Sequence, residues 1–178
     1  MRLFLAFIGL VAIVVAVAAA AFFFGGFYNV AASEEDPQIV TWALPMVRSA
    51  SIDRHSAGLK PPQGMSLDDP AVIQAGAKAF SQRGCVQCHG GPGVEWAKFS
   101  EGIHPDPPDL KEVKDDEPRM IFWVIKNGIN MTGMPSFGNI KVDGKVVVDD
   151  KEIWSITAFV KKFSTTKPED YKAWTAAQ

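Results

Sequence analysis

The chain begins with an uninterrupted apolar run, and the remainder alternates between short apolar periods and polar, proline-rich stretches. Residues 3–28 carry no charged side chain. As a helix this run would be about 39 Å long, at about 1.5 Å per residue. A bilayer core is about 30 Å thick, so the run is long enough to cross it. Arg2 precedes it and acidic residues 34–36 follow it, which favours an N-terminus in the cytoplasm.

A cleaved signal peptide is the alternative for this N-terminal run. Residues 16–18 and 30–32 both have the small side chains of a cleavage site. The apolar core of a signal peptide is usually about 7–15 residues long, and this run is longer. We therefore predict an uncleaved, single-pass anchor in the inner (cytoplasmic) membrane, with the rest of the chain in the periplasm or outside.

Three apolar periods after residue 66 predict helices at about 70–82, 117–127 and 150–163. In the first, Val72, Gly76 and Phe80 are spaced by four, and Asp69-Pro70 is a helix-start signal. Residues 33–65 are rich in proline and glycine, which predicts a linker with a short helical or interfacial piece interrupted at Pro45.

Two further segments follow the second predicted helix. Residues 140–148 have the pattern of a small β-hairpin, with Asp143-Gly144 as the two-residue turn. This hairpin is either a longer connection or a docking element. Residues 165–178 are polar apart from Tyr171 and Trp174 and are predicted to form a C-terminal tail.

Cys85-Val86-Gln87-Cys88-His89 has the spacing of a haem-attachment sequence. Two thiols separated by two residues can each form a thioether with one vinyl group of the same haem, and the adjoining histidine then lies beneath the iron. The chain has two cysteines, so a four-cysteine zinc site is excluded. A redox dithiol would require a βαβ context, which the pattern lacks. The sequence therefore predicts one covalently bound haem c held by Cys85 and Cys88, with His89 as an axial ligand.

On the side opposite His89 the iron would have a second ligand or none. A methionine thioether is a candidate, and it would favour Fe(II) over Fe(III) relative to a second imidazole and so raise the potential. Four of the six methionines lie before the motif or inside a predicted helix. Met131 and Met134 remain, both in a loop. Met134 lies between Gly133 and Pro135, which can hold its backbone near a flat ligand. His104 is a weaker candidate for a contact with the iron or with a haem propionate.

With these motifs in place, residues 66–164 resemble the class I cytochromes c in their bacterial membrane-anchored, mono-haem form. The matching motifs, in the order of the family, are Gly76 and Phe80, Cys85–His89, Pro108-Asp109-Leu110, Thr132-Gly133-Met134-Pro135, and Ile156 with Phe159. The resemblance implies that His89 and Met134 bind the iron. It also implies that the Pro108 carbonyl accepts the Nδ1–H of His89. Because the segment between His89 and Pro108 is long for the family, Pro105 or Pro107 could supply this carbonyl instead. The residues that the resemblance implies as support for the haem pocket are Pro108, Thr132, Pro135, Phe80 and Gly76.

The resemblance implies an all-α fold of three main helices around one low-spin haem, with a small β-hairpin insertion and one N-terminal transmembrane helix. The expected organisation is an anchor at 1–32, a periplasmic linker at 33–65, a haem domain at 66–164 and a tail at 165–178.

The expected function is one-electron transfer rather than enzymatic catalysis, because a six-coordinate haem has no open position for a small-molecule substrate. Expected partners are a quinol-oxidising complex, a dehydrogenase or a terminal oxidase, and the chain could be a standing subunit of such a complex. A net charge of −2 makes nucleic acid an unsuitable partner. The alternative from another class is a gas or redox sensor in which Met134 dissociates from the iron.

Overall fold

The computed structural model describes residues 1–176, except for the side chain of Lys114. The chain divides into two compact units, Met1–Glu35 and the remainder. Within the described residues the structure is mostly helical, with seven α-helices and one sheet of two strands.

The first unit contains helix α1, Arg2–Phe24. Its side chains are exposed along the whole helix, and its most apolar 18-residue stretch has a mean hydropathy of 3.0. By length and composition α1 can cross a membrane, and it is the one described helix of which this holds.

The second unit is built from α2 to α7. Their bounds are Gln38–Ser56 (α2), Pro70–Gln82 (α3), Cys85–His89 (α4), Pro118–Asn127 (α5), Asp150–Lys162 (α6) and Pro168–Ala176 (α7). Short 3₁₀ turns occupy Lys98–Gly102, Val113–Asp115, Phe137–Asn139 and Phe163–Thr165. The three main helices predicted from the sequence correspond to α3, α5 and α6, and each predicted start and end is within one residue of the observed one.

The core of this unit lies where α3 crosses α6. The crossing is close because Gly76 on α3 faces the backbone of Ser155 on α6, with no side chain between them. Beside it, the ring of Phe80 meets those of Phe159 and Phe163 at centroid distances of 5.2 and 6.0 Å. Helix α5 packs on the other part of α6, where Phe122 stacks on Trp154 at 4.1 Å.

The predicted hairpin is present as strands β1 (Lys141–Val142) and β2 (Lys145–Val146), paired antiparallel. Asp143 and Gly144 both have positive φ, 50° and 77°, as a type I′ turn requires. All four strand residues are exposed.

The segment predicted as a linker differs from the prediction, because it contains α2, a helix that continues through Pro45. Pro45 removes one helical hydrogen bond, but it lies on an exposed part of the helix where water can satisfy the freed carbonyl. The end of α2 is fixed by packing: Ile52 and Ser56 are buried against the rest of the unit.

The segment predicted as a tail is also different. It contains α7, which packs against α3 and buries Tyr171 to 3 % exposure. Its ring stacks on Phe159, with centroids 5.5 Å apart. Trp174 and Pro168 add to this packing, Trp174 against the core and Pro168 over Gly93.

Candidate haem-binding site

The two cysteines lie on a single helical turn that follows α3 directly. Gly84, with φ of 80°, ends α3 and starts α4, a conformation in which glycine has no steric cost. Cys85 and Cys88 are three residues apart in α4 and so share one face of the turn. Gly90, with φ of 65°, ends the turn immediately after His89. Gly84 and Gly90 thus bound a five-residue turn that carries both thiols and the imidazole.

Both thiols are free and half-buried. Cys85 packs against the hydrophobic core, and this burial raises the pKa of its thiol to about 12. The Cys85 side chain is therefore an uncharged thiol at neutral pH. Together the two thiols present soft sulfur at the edge of an apolar core, a setting that fits an apolar macrocycle joined through thioethers.

The His89 imidazole is held by a backbone carbonyl from the following loop. Its Nδ1 lies 3.2 Å from the Pro108 oxygen. Burial lowers the pKa of His89, which outweighs the opposite effect of the hydrogen bond. A neutral ring that donates from Nδ1 carries its free lone pair on Nε2, the atom that binds a metal.

A cavity of about 330 Å³ lies beside His89. Its lining residues are Cys88, His89, Trp96, Ser100, Glu101, Asp106, Pro107, Pro108 and Asp109. The Ala97 N–H donates to the Gln87 oxygen at 2.8 Å, which folds the loop carrying Trp96 back onto α4. A second cavity, of about 460 Å³, is lined by the end of α6 and the turn after it, by the segments before α3 and α5, and by the first residue of α5. None of the thiol, imidazole or thioether candidates lines it.

The loop that follows α5, here called the methionine loop, contains Met131 and Met134 in different environments. Met131 is 90 % exposed and has a φ of 58°, whereas Met134 is half-buried and packs against the hydrophobic core. The Thr132 hydroxyl accepts from the Met134 N–H at 3.1 Å and donates to the Ile129 oxygen at 2.8 Å. The Ile129 N–H in turn donates to the Met134 oxygen at 3.2 Å. This ring of hydrogen bonds fixes the backbone on both sides of the Met134 thioether.

Pro135 continues the same arrangement against the end of α5. Gly128 ends that helix with φ of 68°, and a Cβ at this position would lie 2.7 Å from the Pro135 carbonyl carbon. The Ser136 hydroxyl donates to the Lys126 oxygen at 2.8 Å. The methionine loop is therefore held flat against the last turn of α5.

One hydrophobic contact joins the loop that follows His89 to the methionine loop. Ile103 covers Gly133 so closely that a Cβ there would lie 2.6 Å from the Ile103 Cγ2. The loop that supplies Pro108 to His89 thus also touches the residue before Met134. Gly76 and Phe80, predicted as pocket support, lie in the α3–α6 crossing. Like Cys85 and Met134, they are not among the residues that line the cavity beside His89.

Sequence reasoning missed two residues that hold the loop after the cysteine motif. The Tyr171 ring packs over Gly91, where a Cβ would lie 2.9 Å from its Cε1, and Pro168 packs over Gly93, where a Cβ would lie 2.7 Å from its Cβ. Both come from α7, in the segment predicted as a tail. The signal that could have found them is a proline at a helix start, followed by Tyr171 and Trp174 three residues apart.

Two thiols on one helical turn, a neutral imidazole held by a proline carbonyl, and a half-buried methionine in a fixed loop are the donor set of a class I cytochrome c. Residues 71–160 match the family described as cytochrome c oxidase, cbb3-type, subunit III. The chain belongs to this family, whose shared domain is a class I cytochrome c. No curated protein and no solved structure matches the chain significantly.

Proposed function

We propose that the chain is a membrane-tethered carrier of single electrons with one covalently attached haem c. When bound, the haem supplies a one-electron Fe(III)/Fe(II) couple. Cys85 and Cys88 hold the macrocycle, and His89 and Met134 are the axial ligands. The observation that carries the proposal is the His89 imidazole, held at Nδ1 by Pro108 and placed on the same helical turn as both thiols.

The residues have separate tasks in this proposal. The Pro108 carbonyl orients the His89 ring and keeps its Nδ1 protonated. Thr132 and Pro135 fix the backbone that carries the Met134 thioether. A thioether in this place favours the reduced state relative to an imidazole, so it raises the midpoint potential. With both axial positions held by the chain, no position remains for a substrate, and the protein is an electron carrier rather than an enzyme by itself.

Attachment is tested by replacing both thiols. Cys85→Ala combined with Cys88→Ala should abolish haem staining on a denaturing gel, because no thioether can then form. Met131→Leu is the matched control and should stain like the parent, since this side chain is exposed and outside the attachment turn. Covalent haem in the double variant would refute the proposal.

The axial ligand is tested by the spectrum and the potential. Met134→His should remove the long-wavelength methionine-to-iron charge-transfer band of the ferric protein and lower the midpoint potential. Met131→Leu should change neither. If Met131→Leu removed the band, the iron ligand would be Met131 and not Met134.

The location and the partners form the second part of the proposal. α1 anchors the chain in the inner membrane and the second unit lies on the periplasmic side, supported by the apolar length of α1 and by Arg2 before it. The description of the family favours a terminal oxidase complex as partner, with a quinol-oxidising complex or a dehydrogenase as donor. Co-purification from detergent-solubilised membranes should recover such a complex. A mature N-terminus after Ala18, Ala20 or Ala32 would instead identify a cleaved signal peptide.

A further inference from the structure

Helix α2 carries the longest exposed apolar surface of the described second unit. Ile39, Trp42 and Met46 are 72 %, 66 % and 56 % exposed, and their spacing of three and four places them in one stripe along the helix. Val47 follows Met46 directly and is 66 % exposed, and Leu44, two residues from both Trp42 and Met46, is 58 % exposed on the opposite side of the helix. No charged residue occurs between Gln38 and Val47. A contiguous apolar surface of this kind is typical of an interaction site.

The same face of α2 becomes polar beyond Met46. Continuing the stripe by three or four residues leads to Ser49 and then to Asp53, both exposed. The helix is therefore apolar on its outer face in the first half and polar in the second. Arg48 is the first charged residue after this half of the helix, and at two residues from Met46 it lies on a different side of α2 from the stripe.

Both ends of α2 are fixed to the haem-binding unit. At the start, the Asp36 carboxylate lies 3.4 Å from Nε2 of His104, in the loop that carries Pro108. At the end, the Arg119 guanidinium donates to the Asp53 carboxylate at 2.6 Å and to the Ser56 hydroxyl at 2.7 Å. The exposed stripe is thus presented by a helix held in place at its two ends.

The chain itself indicates what covers this stripe. Only residues 25–37 separate α1 from α2, and even fully extended they reach no more than about 45 Å. If α1 spans a bilayer, α2 remains within reach of its surface. An exposed apolar stripe that contains a tryptophan is typical of a helix lying in the membrane interface.

We propose that the first half of α2 lies in the interface of the membrane that α1 crosses, as a second membrane contact. The inference rests on the anchor of the proposed function and adds an orientation to it. Because Asp36 pairs with His104, the membrane-bound end of α2 is the end next to the loop that positions His89. The haem is held close to the bilayer surface, where membrane-embedded redox partners are found.

Apolar burial drives this contact rather than attraction to anionic lipids. Glu34 and Glu35 precede the helix and Arg48 follows the stripe, so no basic cluster is present. The contact should form on vesicles of phosphatidylcholine alone and should not weaken as salt is raised.

The test uses the full haem-loaded chain in phosphatidylcholine vesicles, with a nitroxide label on a single added cysteine. Trp42→Cys and Met46→Cys report on the stripe. Val146→Cys, 51 % exposed on the hairpin, is the matched control. The parent is the labelling blank, because its two thiols are consumed by the haem. Accessibility to oxygen and to a water-soluble nickel chelate distinguishes lipid from water.

Labels at Trp42→Cys and Met46→Cys should be accessible to oxygen and at least five-fold less accessible to the nickel chelate than the label at Val146→Cys. Equal access of the chelate to all three labels would overturn the inference. Labels shielded from both reagents in vesicles but exposed in nanodiscs holding one chain would show that a second copy covers the stripe, which also overturns it.

Carbonate extraction of the same samples separates failure of the anchor from failure of the contact. A chain retained by the vesicles with both α2 labels in water contradicts the interfacial contact alone. A chain released by carbonate whose α2 labels had reported lipid contradicts the anchor and supports the contact.

Discussion

Gly76→Ala tests whether the close crossing of α3 and α6 stabilises the fold. A Cβ at Gly76 would overlap the Ser155 carbonyl oxygen, lie 2.5 Å from the Ser155 carbonyl carbon and lie 3.0 Å from the Phe159 Cβ. Two of these obstacles are backbone atoms of α6. The added methyl cannot be accommodated by a side-chain rotation, so the two helices have to move apart.

The expected cost follows from two opposing effects. Overpacking a well-packed core costs about 1–3 kcal/mol, and a backbone obstacle places this variant near the upper limit. Removing a glycine from a helix interior stabilises by up to about 1 kcal/mol. The net loss should be about 2 kcal/mol in the free energy of unfolding. For a unit of this size that corresponds to a melting temperature lower by about 4–8 °C.

The measurement is thermal and guanidinium unfolding of the haem-loaded protein in detergent, followed by far-UV circular dichroism. Gly102→Ala is the matched control, because a Cβ at Gly102 meets no atom within 4 Å. It should unfold within about 0.5 kcal/mol of the parent. If Gly76→Ala were no less stable than Gly102→Ala, the crossing would tolerate a side chain and the reasoning would be wrong.

Three further predictions concern the packing of α7, the ion pair between Arg83 and Glu152, and the proposed Met134 ligand. Tyr171→Ala should lower the free energy of unfolding by about 3 kcal/mol in urea, because it removes a buried ring stacked on Phe159, whereas Tyr171→Phe should cost less than half as much. Glu152→Gln should cost about 1 kcal/mol, since two hydrogen bonds of 2.6 and 3.1 Å to a partly exposed Arg83 lose their charge, and a double-mutant cycle with Arg83 isolates this contribution. The reduced protein should not bind carbon monoxide at neutral pH while Met134 remains ligated, and rapid binding would support the sensor alternative.

Local chemistry explains why three helices could be predicted from the sequence. Asp69 accepts from the Ala71 N–H and Asp149 from the Glu152 N–H, both at 2.8 Å, so α3 and α6 begin where an acceptor side chain precedes the apolar period. No side chain caps the start of α5, where Pro118 occupies the first turn. The hairpin is equally local, because an Asp-Gly pair supplies two positive φ angles. In these elements the residues that decide the structure lie within a few positions of each other.

The structure differs from the prediction in two segments whose order depends on distant partners. A proline in α2 predicts an interruption, but Arg119, more than sixty residues away, holds the end of that helix. A polar composition predicts a tail at 165–178, but Tyr171 finds Phe159 across the core. Periodicity measures only the local preference of a segment, and here a small number of tertiary contacts outweigh it.

The candidate site shows the same division between local and distant information. Spacing alone places two thiols and an imidazole on one turn, but it cannot show that a single loop connects the remaining parts. That loop gives the Pro108 oxygen to His89, covers Gly133 with Ile103 and pairs its His104 with Asp36 ahead of α2. One segment of about six residues, 103–108, therefore contacts the surroundings of both proposed iron ligands. The same segment contacts Asp36, ahead of the helix proposed to lie on the membrane.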